Sequence, residues 1–209
     1  MTPARTGAGT AVPTGNAFDK YGSRNAAVRR LVGSFRAAVD DLLALAGPQS
    51  LLDVGCGEGT LTESWAERMS PGRVVGIDLE DPGLRLEWDR RRRPNLEFLA
   101  ASAEALPFAE NEFELVAATQ ALEHVSDPGA VLADMTRVAQ RHLLVSAPRE
   151  PLWRALNMLR GAYLPQWGNT PGHLHHWSSR DLVDLLADFG DVVELRSPLP
   201  WTVALVRVL

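Results

Sequence analysis

Cysteine is nearly absent: Cys56 is the single one in 209 residues. One thiol can form no internal disulfide and supplies no cysteine-based zinc site, so a reducing cytoplasm is the expected location. Long apolar runs are missing too, since no stretch approaches the ~20 residues a membrane-spanning helix requires. Nor is there a basic surplus. With 21 Lys and Arg against 26 Asp and Glu, a net charge of −5, the chain is poorly matched to a nucleic-acid backbone, whose binders usually carry a positive excess. The one cationic run, Arg90 to Arg93, reads as the solvated C-terminus of a helix, where the macrodipole favours cations. The opening MTPARTGAGTAVPTGNA has neither the apolar centre of a signal peptide nor the Arg/Ser character of a transit peptide. It is expected to be a tail over 1–17, ahead of one domain over 18–209.

What is present is an alternation of periods. Val28, Leu31, Val32, Phe35, Val39, Leu42 and Leu43 recur at helical spacing, and Gly47–Pro48 stops that helix. LLDV, RVVGID, LEFLAA, FELVAATQ and RHLLVSAP follow as short apolar strands. TLTESWAERM, PGLRLEWDRRR and PGAVLADMTRVAQ read as helices between them, the last opened by Asp127 as N-cap and Pro128 at the first helical position. Ser178 and Asp181 stand in capping-box spacing before DLVDLLADFG, and two closing strands form an antiparallel hairpin. The alternation predicts a doubly wound, Rossmann-like α/β fold. Its seven-stranded sheet is mostly parallel with an antiparallel last strand, and helices cover both faces. Between 148 and 177 the pattern dissolves into a segment holding three tryptophans and three of the five histidines. Such a break in a regular scaffold is expected to be an acceptor-site insertion or lid.

The glycines of LLDVGCGEGTL mark the ligand. In an open parallel sheet ligands bind at the carboxyl ends of the strands, and glycine lets the backbone turn tightly against them. The spacing here is G-x-G-x-G rather than the dinucleotide G-x-G-x-x-G, and Thr60 stands at the sixth position. Asp53, two residues ahead, would repel a pyrophosphate and suit a positively charged ligand. No Gly-Lys-Ser/Thr follows, so a P-loop is excluded. The expected ligand contains a nucleoside and a cationic group and no phosphate. Asp78, at the end of the second strand and about 20 residues beyond the glycines, is positioned to accept both ribose hydroxyls, with Leu79 against the base.

LLDVGCGEGTL, VVGIDLE, SAEALPFAENEFELV and ALEHVSDP, in this order, resemble the class I S-adenosylmethionine-dependent methyltransferases, in particular the type 11 small-molecule branch. The resemblance runs from about residue 18 to 209. It implies S-adenosyl-L-methionine as cofactor, with Gly55, Cys56, Gly57 and Gly59 lining its methionine end. Asp53 would orient the loop or meet the amine through water. The third strand's loop, Ser102, Ala103 and Glu104, would meet adenine, although the family pattern usually has Asp where this chain has Ser102. Thr119 and Gln120 would sit near the reacting methyl. Cys56, with no activating base nearby in sequence, reads as a small packing residue.

The implied reaction is methyl transfer to a small organic acceptor, with oxygen the expected atom. A base helps remove a hydroxyl proton, and His124 and His173 are the candidates. Tyr21, Trp153, Tyr163, Trp167 and His176 would form the substrate wall, aromatic faces being suited to a flat acceptor and a sulfonium. Trp65 and Trp201, in regular elements, read as core. HLHH at 173–176 has no acidic partner at ligand spacing, so no metal is expected. The chain is expected to act as a monomer or homodimer, with no nucleic-acid partner. The competing reading is a protein that binds S-adenosylmethionine without catalysis.

Overall fold

The computed structural model describes residues 25–209. The expected tail over 1–17 and Tyr21 lie outside the described residues. Helix α1 (Ala26–Ala46) begins where the Asn25 side chain accepts from the Ala27 N–H and ends at Gly47, whose φ of 55° closes the last turn. Then come β1 (Ser50–Val54), α2 (Thr60–Arg68), β2 (Arg73–Asp78), α3 (Pro82–Arg90), β3 (Leu96–Ala100), β4 (Phe113–Thr119), α4 (Pro128–Val138), β5 (Ala139–Pro148), α5 (Leu152–Leu159), α6 (Ser179–Leu186), β6 (Gly190–Arg196) and β7 (Trp201–Val208).

The seven strands lie in the order β3-β2-β1-β4-β5-β7-β6. All neighbours pair parallel except β7, which runs antiparallel to both β5 and β6. Successive residues serve opposite faces of the sheet. Leu51, Val74, Leu115 and Leu144 pack with α1 and α2, while Leu52, Val75, Val116 and Leu143 pack with α4 and α6. Trp65 is fully buried in the first layer, and Trp201 closes it beside Phe35. Strand order reverses between β1 and β4, and the crevice at their carboxyl ends is the binding place such sheets offer.

Two local differences from expectation stand out. The helix expected through Gln140 stops at Val138, because Ala139 already pairs with Phe113 across a bulge, so β5 begins earlier. The 148–177 segment is less irregular than its prolines suggested: it holds α5 and a short 3-10 turn at Leu164–Gln166. The caps match expectation, with Asp127 accepting from the Ala130 N–H and Ser178 and Asp181 forming a reciprocal capping box. Arg90 to Arg93 are paired with Glu87, Asp89, Glu63 and Glu67 on α2 and α3. Their charge is therefore spent within the protein surface.

Candidate cofactor and acceptor site

The glycine loop is set by backbone geometry and braced from behind. Gly55, Gly57 and Gly59 take φ values of 74°, 56° and 76°, a region that costs residues with a Cβ. The Gly55 and Cys56 N–H groups both donate to the Ile77 carbonyl at 2.9 Å, which locks the loop onto the end of β2. Gly57 N–H donates to Asp78 Oδ2 at 2.7 Å, and Leu79 N–H to Asp78 Oδ1 at 2.8 Å. Burial pushes the Asp78 carboxyl upward while these two bonds pull it down. Each oxygen keeps lone-pair capacity for a further donor, as a ribose diol requires. Behind the loop, Trp88 donates its indole N–H to the Gly57 carbonyl at 2.8 Å and stacks on Phe98 with centroids 5.4 Å apart.

Asp53 is the most deeply buried acid of the glycine loop. It is 1% exposed, and its Oδ2 accepts from the Thr62 hydroxyl at 2.6 Å. Its Oδ1 is buried with no hydrogen-bond partner. Burial, with the Asp78 charge adding to it, pushes the carboxyl up to about 7. An orphaned buried carboxylate oxygen at a cavity wall fits a cationic ligand group and would reject a phosphate. The same burial and the same two carboxylates push the Cys56 thiol well above its ordinary value, so Cys56 is protonated and inert.

Both acids open onto one cavity of about 670 Å³. One end is walled by Asp78, Leu79, Ser102, Ala103 and Glu104. The other end is walled by Val28, Leu31, Trp153, Leu156, Tyr163 and His173. The far wall is the HLHH segment, docked on the loop after β4. Leu174 and His175 donate their N–H groups to the Glu123 carbonyl at 2.7 and 3.4 Å. His175 Nε2–H donates to the Val125 carbonyl at 3.1 Å, and His124 Nδ1–H to the Gly172 carbonyl at 2.9 Å. A carbonyl can only accept, so a His124 proton sits on Nδ1, and in the neutral ring Nε2 is the nitrogen that can accept.

A family model described as a methyltransferase domain, type 11, matches residues 52–142. Residues 52–142, a little under half of the chain, are thus similar to that methyltransferase domain. The demethylmenaquinone methyltransferase of Renibacterium salmoninarum is 39% identical over 105 residues, which is 50% of this chain and 42% of that protein. The ubiquinone/menaquinone biosynthesis C-methyltransferase of Cronobacter sakazakii is 33% identical over 122 residues, 55% of this chain and 49% of that protein. The matched stretch thus spans under half the length of either relative. In fold, the domain is similar to magnesium protoporphyrin IX methyltransferase from Synechocystis, solved with S-adenosylhomocysteine bound. That likeness has a TM-score of 0.65 at 17% identity and covers 91% of this chain and 94% of that one.

S-adenosylmethionine is the cofactor of such a methyltransferase domain, and the residues here suit it: no phosphate to satisfy, an acid for the ribose, and an orphaned acid for a cation. Of the residues named from sequence, Asp53, Gly55, Cys56, Gly57, Asp78, Leu79, Ser102, Ala103, Glu104, Thr119, Gln120, His124, His173, Trp153 and Tyr163 all border the cavity. Three do not. Gly59 faces Phe98, and a Cβ there would come within 2.5 Å of the ring, so its glycine serves packing. Trp167 is 73% exposed at a left-handed backbone position. His176 turns outward to Asn169 Oδ1 at 2.6 Å. No acid stands at ligand spacing to HLHH along the chain, but the fold brings Glu123 to His173. Sequence reasoning missed Trp88 and Phe98, whose bracing role appears only in three dimensions, and Leu31 and Leu156, whose apolar helical spacing was the available signal.

Proposed function

We propose that this chain transfers a methyl group from S-adenosylmethionine to the hydroxyl oxygen of a small, flat, largely apolar acceptor. The observation that carries the reading is the continuity of one cavity from Asp78 and the orphaned Asp53 carboxylate to His124 and Trp153. When bound, S-adenosylmethionine supplies a methyl group on a cationic sulfur, with S-adenosylhomocysteine as product. Asp78 accepts from the ribose hydroxyls, and the Ala103 backbone and Leu79 meet the adenine. Asp53 and the loop glycines hold the amino-acid end, and Thr119 and Gln120 border the reacting methyl. His124 Nε2 takes the acceptor's proton as the acceptor oxygen attacks. Trp153 and Tyr163 orient the acceptor, and the 148–177 segment shuts out water, since alignment and desolvation carry most of such a displacement.

Carbon is the second reading for the acceptor atom, favoured by the C-methyltransferase named among the relatives. A ring carbon beside an ionised hydroxyl needs the same base, so His124 serves both. The acid balance of the chain supports a small-molecule acceptor over nucleic acid, and the proposal extends to a cytoplasmic monomer or homodimer. Among the described residues no helix is long and apolar enough to cross a membrane.

Calorimetry tests the cofactor half. Wild type is expected to bind S-adenosylmethionine, and Asp78→Ala to lose that binding. A wild type that binds neither S-adenosylmethionine nor S-adenosylhomocysteine refutes the proposal. For the acceptor atom, NMR of the product of a hydroxylated aromatic acceptor separates an O-methyl from a C-methyl group.

A further inference from the structure

Glu123 and His124 lie in the loop after β4, and His173 stands on the segment that crosses it. A carboxylate oxygen and one imidazole nitrogen from each histidine all lie within 4.8 Å of one another. All three residues border the cavity. The arrangement is selective. His175 and His176, the other histidines of HLHH, are held by the Val125 carbonyl and by Asn169. His124 has its Nδ1 proton committed to the Gly172 carbonyl, as metal-binding imidazoles usually do, and this aims the other nitrogen's lone pair away from that bond. Glu123 is 1% exposed, so its carboxylate lies within the protein at the cavity wall and not in bulk solvent.

The geometry points to a site for one divalent transition-metal ion, of the zinc or manganese class, held by Glu123, His124 and His173. Two imidazoles with one carboxylate suit such ions, whereas calcium and magnesium favour oxygen-only sets. Donor atoms around a tetrahedral ion with bonds near 2.1 Å stand roughly 3.4 Å apart. Groups already within 4.8 Å reach that spacing by small side-chain rotations. Three protein ligands leave a coordination position open, the mark of a catalytic rather than a structural site. An ion here would lower the acceptor hydroxyl's pKa so that the acceptor gives its proton to solvent on binding, and its oxygen would then bond the methyl carbon as the methyl–sulfur bond breaks and S-adenosylhomocysteine leaves. In that state His124 is a ligand and the ion does the work otherwise given to it as base. The ion's role rests on the transferase proposal; its binding does not.

The test uses the whole chain, stripped with chelator and titrated with Co²⁺ under visible absorption, with Zn²⁺ as competitor. One Co²⁺ per chain is expected, displaced by Zn²⁺. Glu123→Gln, which keeps the side-chain shape, and His173→Ala, in a loop, are each expected to weaken binding by more than the roughly 10–100-fold that loss of an outer-shell partner costs. The absence of Co²⁺ binding in wild type overturns the site, as does wild-type affinity retained in both variants. Cofactor calorimetry on the same samples separates the two proposals. S-adenosylmethionine bound without Co²⁺ removes the metal site alone, and Co²⁺ bound without S-adenosylmethionine removes the transferase reading alone.

Discussion

Replacing Gly55 by alanine tests whether backbone shape, rather than any side chain, forms the cofactor platform. Two costs are expected. The φ of 74° places a Cβ-bearing residue in the left-handed region, at about 1–2 kcal/mol. The new methyl would also stand 2.6 Å from the Ala121 Cβ, where ordinary contact is near 3.5–4 Å, so loop and neighbour must part by about 1 Å. Overpacking of that kind costs about 1–3 kcal/mol. The sum, about 2–5 kcal/mol, is a large share of the roughly 5–15 kcal/mol that holds a typical domain folded. The two parts are separable, because Ala121→Gly removes the opposing methyl and leaves the Ala121 Cα at 3.8 Å from the new Cβ, an ordinary distance. In urea unfolding, the double variant is expected to be more stable than the sum of the single effects by about 1 kcal/mol or more, with the backbone cost remaining. S-adenosylmethionine calorimetry should show affinity recovering in parallel. Additive single effects, or a Gly55→Ala loss below about 0.5 kcal/mol, would refute the reasoning.

Asp53 ties stability to pH. Its folded carboxyl holds a proton up to about 7 against 3.8 when unexposed to the fold, so its contribution is full below about 3.8 and lost as pH rises through about 7. Asp53→Asn is expected to flatten the fall in stability between those values and to be the more stable protein at pH 8, while binding S-adenosylmethionine more weakly; parallel stability curves for the two proteins would contradict this. Wild-type affinity for the cofactor should decline below about pH 7, as the carboxylate gains its proton, and a pH-independent titration would count against a cation contact. Trp153→Leu is expected to raise the acceptor KM several-fold, an aromatic contact being worth about 0.5–1.5 kcal/mol. Trp167→Ala, at an exposed position, should leave both KM and stability within about 0.5 kcal/mol of wild type, and equal effects from the two variants would undo the assignment of the wall.

The half of the cavity proposed to hold the cofactor could be assembled from sequence because its information is local. Glycine spacing, an acid before the loop and an acid at the next strand end are read along the chain, and the strands that present them have an unmistakable period. The support beneath was not legible: Trp88 and Phe98 look like ordinary apolar residues of a helix and a strand, and only folding puts them under Gly57. The acceptor half failed differently. Pro148, Pro151 and Pro165 made residues 152–159 look like part of a loop, although Leu152, Trp153 and Leu156 keep helical spacing. Glu123 and His173 meet only because the insertion folds back across β4, a relation no spacing rule contains. Trp167 and His176 were indistinguishable by type from Trp153 and His173, and their outward positions follow from local backbone geometry.

The docking of HLHH on the loop after β4 draws on three main-chain carbonyls as acceptors, those of Glu123, Val125 and Gly172. Two of the four bonds run from main-chain N–H to main-chain carbonyl and are present whatever the side chain, so part of the seam holding the acceptor wall is indifferent to sequence, while the other two need His124 and His175. A lineage could therefore rewrite the wall, and with it the choice of acceptor, while the wall stayed attached. Exchanging residues 150–177 between relatives would move substrate preference as a cassette and leave the donor machinery where it stands.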